Sequence, residues 1–162
     1  MRMERLTSKF QQALADAQSL AVGREHQFIE PVHVLIAMLD QRGGTVRPLL
    51  SKSGVNVNLL RSQLSELLEK LARVEGADGD LHISNALGKL LNISDKLSQD
   101  RGDEYIASEL FLLAAFEDKG ALSEVLKSSG ANKKALEKAI EEVRGGQTVN
   151  DVNAEDQRQA LE

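Results

Sequence analysis

The sequence predicts an all-α protein of about eight helices, arranged as two pseudo-symmetric four-helix repeats. Three observations predict it. First, the chain repeats itself: Phe28-Ile29-Glu30-Pro31-Val32-His33-Val34-Leu35 returns as Tyr105-Ile106-Ala107-Ser108-Glu109-Leu110-Phe111-Leu112, an offset of 77 residues. The same offset pairs Leu6 with Ile83, Thr7 with Ser84, Phe10 with Leu87, Leu14 with Leu91 and Leu20 with Leu97. Ser53-Gly54-Val55-Asn56 returns as Ser129-Gly130-Ala131-Asn132 at offset 76, so one residue is lost between Asp40 and Leu50. Second, apolar residues recur at steps of three and four, the period of a helix. Third, no segment alternates apolar and polar residues, so no sheet is expected. Two copies are too few for an open solenoid and are expected to close on each other as a pair.

Each element has its own local reason. Leu6, Phe10, Ala13, Leu14, Ala17, Leu20 and Ala21 make one helical stripe, with Thr7 as N-cap and Gly23 as terminator. Pro31 suits a first helical turn, and Val34, Leu35, Met38 and Leu39 form the next stripe. Gly43-Gly44 breaks the chain. A short helix follows from Val46 to Ser53, closed by Gly54. Asn56 then caps a helix striped by Leu60, Leu64, Leu67, Leu68 and Leu71.

The second copy repeats these steps. Ser84 caps a helix bearing Leu87, Leu90, Leu91 and Leu97; the next runs from Ala107 to Asp118. Leu122 to Ser129 is short, and Asn132 caps a last helix with Leu136, Ile140 and Val143. The predicted organisation is one domain over 1–146, with repeat one at 1–73, a linker at 74–80 and repeat two at 81–146. Residues 147–162 read as a polar linker or weakly helical tail.

Composition narrows the function. The net charge is −5, with 25 acidic against 20 basic residues and no basic face evident, which disfavours a nucleic-acid partner. There is no cysteine, which removes disulfide and thiolate chemistry and suits a cytoplasmic protein. No apolar run reaches the length of a membrane span, so no membrane partner is expected. The chain has no Gly-x-x-x-x-Gly-Lys-Ser/Thr, no Gly-x-Gly-x-x-Gly and no Gly-x-Ser-x-Gly. His26, His33 and His82 lack metal-ligand spacing, and His33 is read as a packing residue. Asp78-Gly79-Asp80 lacks the ligand series of a calcium loop and is read as a turn. The expectation is a binding domain without catalytic, metal or cofactor sites, and a monomer when isolated.

Several strings together resemble the Clp N-terminal repeat domain, and most closely its disaggregase branch. They are Arg5-Leu6-Thr7-Ser8-Lys9-Phe10, Ala15-Asp16-Ala17-Gln18-Ser19-Leu20-Ala21, Gln27-Phe28-Ile29-Glu30-Pro31 and Arg101-Gly102-Asp103. The tail from Val149 through Leu161 resembles that branch's linker into its first ATPase module. The resemblance implies an eight-helix domain on a mobile tether above a homohexameric ATPase ring, binding unfolded or aggregated protein. It also implies that ATP and magnesium sites lie in modules absent from these residues, so this sequence reads as one piece of a longer protein. A domain that docks an adaptor, or regulates its own ring, is the alternative reading.

Comparing the two copies position by position nominates a site. Ile93 stands where copy one has Asp16, and Leu110 stands where it has His33. Leu97 lies one turn from Ile93 on the same helix face. An apolar residue whose sister is polar fits an exposed binding groove, and it also fits a core packed asymmetrically. The groove reading expects Ile93, Leu97 and Leu110 to lie together and open to solvent. Thr7, Asp103 and Glu109 match the family pattern and are placed at the groove's rim. An acidic rim would favour basic, apolar clients; the competing readings are a helix cap for Thr7, a turn residue for Asp103 and a solvated charge for Glu109.

Overall fold

The computed structural model describes residues 2–74 and 81–156. In the first copy α1 spans Ser8–Gly23, α2 Pro31–Asp40, α3 Val46–Lys52 and α4 Val57–Lys70. In the second, α5 spans Asn85–Arg101, α6 Ser108–Ala115, α7 Ala121–Ser128 and α8 Lys133–Arg144. A 3-10 turn at Met3–Arg5 precedes α1. The all-α reading and its two sets of four helices therefore hold. The linker expected at 74–80 lies outside the described residues except for Val74, as do residues 157–162 of the expected tail.

The four caps read from the sequence are formed. Thr7 Oγ1 accepts from the Phe10 amide at 3.3 Å, and its sister Ser84 Oγ accepts from the Leu87 amide at 3.0 Å. Asn56 and Asn132 Oδ1 accept from the Leu59 and Ala135 amides at 3.1 and 3.0 Å. Each bond satisfies a helix-start N–H that has no partner within its own helix. Gly54 and Gly130 both take φ 94°, so the same left-handed turn closes α3 and α7.

The expectation of no sheet is corrected on a small scale. Phe28–Ile29 (β1) pairs in parallel with His82–Ile83 (β2). Two residues are too short to show an alternating pattern, so periodicity could not have revealed the pair. A second parallel bridge joins Leu6 to Ile106. Ile83 is the sister of Leu6, and Ile106 is the sister of Ile29. Each copy therefore lends its entry segment to the other. The hydrogen bonds agree: the Ser84 amide donates to the Ile29 carbonyl at 3.0 Å, and its sister Thr7 donates to the Ile106 carbonyl at 3.1 Å.

Helix packing shows the same exchange, with α4 against α7 and α3 against α8. The helices α2 and α6 run through the centre. Every residue from Pro31 to Leu39 and from Ser108 to Ala115 is buried. Both segments are apolar almost all round, which is the pattern of a helix enclosed on all sides. Phe10 and Phe111 meet edge to face between the copies, with ring centroids 5.8 Å apart.

Candidate functional site

The nominated residues fall into two groups. Ile93 and Leu97 are partly buried and pack against the core from the outer face of α5. Their copy-one sisters lie in the corresponding places, Asp16 exposed and Leu20 partly buried. Ile93 lines an open surface hollow of about 650 Å³ with Ile83, Asn85, Lys89, Asn92 and Lys96 among its neighbours. Ile83, at the end of β2, keeps 44% of its surface exposed. Apolar side chains thus remain available here beside two lysines.

Leu110, Thr7, Asp103 and Glu109 are placed otherwise. Leu110 is 0% exposed and belongs to the core, so it does not open into a groove with Ile93 and Leu97. It sits on α6, whose whole length is enclosed. Broken symmetry at this position reflects different interior packing, not a surface. Asp103 and Glu109 are buried too and form no solvent-facing acidic rim. Both are engaged by Arg144 from the last turn of α8. Arg144 Nη1 donates to the Asp103 carboxylate at 3.1 and 3.0 Å, and Nε donates to Glu109 Oε2 at 3.0 Å. A buried guanidinium shared by two carboxylates offsets charges that would otherwise be costly to desolvate.

Thr7 caps α1, and its hydroxyl also donates to Glu155 from the segment after α8. Glu155 Oε2 further accepts from the Ser108 amide at 3.1 Å and its hydroxyl at 3.0 Å, and Oε1 accepts from Thr45 Oγ1 at 2.9 Å. Glu155 is 1% exposed. Burial, and then the nearby Glu109 charge, raise its pKa above the usual glutamate value, while the hydroxyl and amide donors work against that rise.

Copy one fills the equivalent interior with different chemistry. The sisters of Asp103, Glu109, Leu110 and Arg144 are His26, Val32, His33 and Leu68. His26 Nδ1 and His33 Nε2 lie 2.8 Å apart. The Glu30 amide donates to His33 Nδ1 at 2.8 Å, so the His33 proton sits on Nε2 and is donated to His26. Burial, then His26, lower the His33 pKa to about 4. The pair is therefore neutral and structural, which fits the packing role read for His33. Among the described residues, no group of three or more His, Cys, Asp or Glu has the arrangement of a metal site.

Sequence reasoning missed Arg144, Glu155, Ile83 and the two lysines. For Arg144 the signal was present. Comparing Arg144 with Leu68, and Asp103 with His26, would have exposed a polar cluster unique to copy two. Glu155 has no sister, because the repeat ends before it.

Residues 5–129 match the family described as the Clp repeat (R) N-terminal domain. The chain belongs to this family. It is 57% identical over its full length to the chaperone protein ClpB of Vibrio cholerae, and 51% identical to that of Pseudomonas putida. It spans about one fifth of those proteins, 19% of their length. Among solved structures, the Hsp104 N-terminal domain of Candida albicans superimposes with a TM-score of 0.82 at 21% identity, covering 93% of this chain and 98% of that one. A ClpV N-domain in complex with a VipB peptide gives a TM-score of 0.71 at 21% identity, with 89% of each chain covered. These two likenesses establish the fold. The chain is a Clp repeat N-terminal domain, similar over its full length to about one fifth of ClpB. Among the described residues, no helix is long and apolar enough to cross a membrane.

Proposed function

We propose that this Clp repeat domain is the client-binding module of a ClpB-type disaggregase. It engages unfolded or aggregated protein and passes it to ATPase modules outside this chain, which supply the ATP and magnesium sites of a cytoplasmic homohexameric ring. The observation that carries this reading is the outer face of α5 and β2. Ile83, Ile93 and Leu97 present partly open apolar surface where copy one has Leu6 in the core, Asp16 in solvent and Leu20 half-buried. Such a face, with few contacts to offer, suits weak binding of many sequences better than tight binding of one. Lys89 and Lys96 flank it, so the favoured clients combine apolar with acidic residues, in place of the basic clients expected from an acidic rim. Thr7, Asp103, Glu109 and Leu110 are buried and form no part of this face. Six copies on one ring would raise weak single-site binding by avidity.

The test is a backbone-amide titration of the chain with a permanently unfolded protein and with the same protein folded. The expected result is shifts at Ile83, Lys89, Ile93 and Lys96 for the unfolded form, with a Kd on the order of 0.1–1 mM, about 4–5.5 kcal/mol. No shift on this face would defeat the reading. The adaptor-docking alternative has its own support in the ClpV N-domain, whose structure was solved with a VipB peptide. It predicts tight binding of one folded partner and little response to unfolded chains.

A further inference from the structure

We propose that residues 148–156 are a strap docked on the domain, with Glu155 as its pin and Thr7, Thr45 and Ser108 as the carboxylate receptor. The proposal stands apart from what the α5 face binds. The resemblance implied a mobile tether directly after α8; the geometry instead holds the chain as far as Asp156, twelve residues past Arg144.

The strap's contacts run along its length. Val149 is buried; its amide donates to Asp103 Oδ1 at 2.9 Å, and its carbonyl accepts from the Glu104 and Tyr105 amides at 2.8 and 3.1 Å. The Val152 carbonyl accepts from the Ser8 amide at 2.8 Å. Ser8 Oγ donates to Asn153 Oδ1 at 2.9 Å, and Lys9 Nζ lies 3.3 Å from Asp156 Oδ1. Between Asn153 and Asp156, Glu155 enters the receptor and is enclosed. Ser8 and Ser108 are the first residues of α1 and α6, whose amides have no partner within their helices. The strap supplies both: a carbonyl for one and a carboxylate for the other, at helix ends that favour negative charge.

Only one face of the repeat can hold this pin. The sister of Ser108 is Pro31, which has neither an N–H nor a hydroxyl. Two polar residues nominated for a client rim, Thr7 and Asp103, thus hold the strap. Each extended residue reaches at most ~3.5 Å, so docking residues 148–156 removes about 30 Å of free reach from whatever follows Asp156.

Amide hydrogen exchange on the full chain tests this in the parent and in Glu155→Ala and Thr45→Val. The amides of Ser8, Glu104, Tyr105 and Ser108 are expected to be protected in the parent. In Glu155→Ala they should exchange at least tenfold faster, with the Leu64 amide inside α4 unchanged. Thr45→Val, which removes one donor, should give a smaller increase at Ser108. Free exchange of these four amides in the parent would overturn docking. An unchanged pattern in Glu155→Ala would remove Glu155 as the pin. An equal rise at Leu64 would show that no strap opens separately from the domain.

Discussion

His33 and Leu110 occupy the same place in the two copies, and both are 0% exposed. One donates a hydrogen bond to a second buried histidine, while the other is plain core. The domain therefore solves one packing problem twice, with a neutral histidine pair in copy one and an ion cluster around Arg144 in copy two.

The histidine pair gives the domain an acid-sensitive half. His33 takes up a proton near pH 4 in the folded chain against 6.5 when unfolded. The unfolded state binds more protons between these values, so the stabilisation is complete above about pH 6.5 and is lost as pH falls towards 4. His26 is also lowered, chiefly by burial and then by Arg24, and acts in the same direction. For the fully buried His33 the loss is on the order of 3 kcal/mol, at ~1.4 kcal/mol per pH unit. Melts across pH 7 to 4 should show this slope. His33→Leu, which copies the sister residue, should flatten it; an unchanged slope would place the acid response elsewhere.

Arg144→Leu copies Leu68 from copy one and leaves Asp103 and Glu109 buried without their shared cation. The expected loss is about 3–5 kcal/mol. Adding Glu109→Val, which copies Val32, should recover part of it. A double-mutant cycle by urea denaturation should therefore show a coupling of at least ~1 kcal/mol. Strict additivity would mean that Arg144 and Glu109 do not act as a unit.

Leu110→Asp and Ile93→Asp should part company. The first puts a charge into the enclosed α6 face and should cost several kcal/mol or unfold the chain. The second sits at the place of exposed Asp16, so its cost should stay near or below about 1 kcal/mol, while binding of an unfolded client weakens. A stable Leu110→Asp variant would contradict the burial of this residue.

Thr7→Ala and Ser84→Ala compare two sister caps. Ser84→Ala should cost about 1 kcal/mol, the worth of an ordinary N-cap. Thr7→Ala should cost roughly 1–3 kcal/mol more, because buried Glu155 also loses a donor. Equal losses in thermal melts would show that the Thr7–Glu155 contact adds nothing.

The repeat, the helix class and the helix starts are legible in the amino-acid order alone. Those features rest on local chemistry: a stripe of period 3.6, a side-chain oxygen at Thr7, Asn56, Ser84 and Asn132, a glycine at 54 and 130. Ile93 and Leu97 are nominated by comparing Ile93 with Asp16 and by their one-turn spacing, and both are partly buried on the outer side of α5. The interior pairings emerge only once the helices are packed. Asp103, Glu109 and Arg144 are separated by up to 41 residues, and Thr7 and Glu155 by 148. A charged residue reads as surface until the element that pairs with it is placed beside it. The β1–β2 pair and the strap have the same cause. Their hydrogen bonds join segments remote in sequence, and backbone donors and acceptors leave no mark on side-chain pattern.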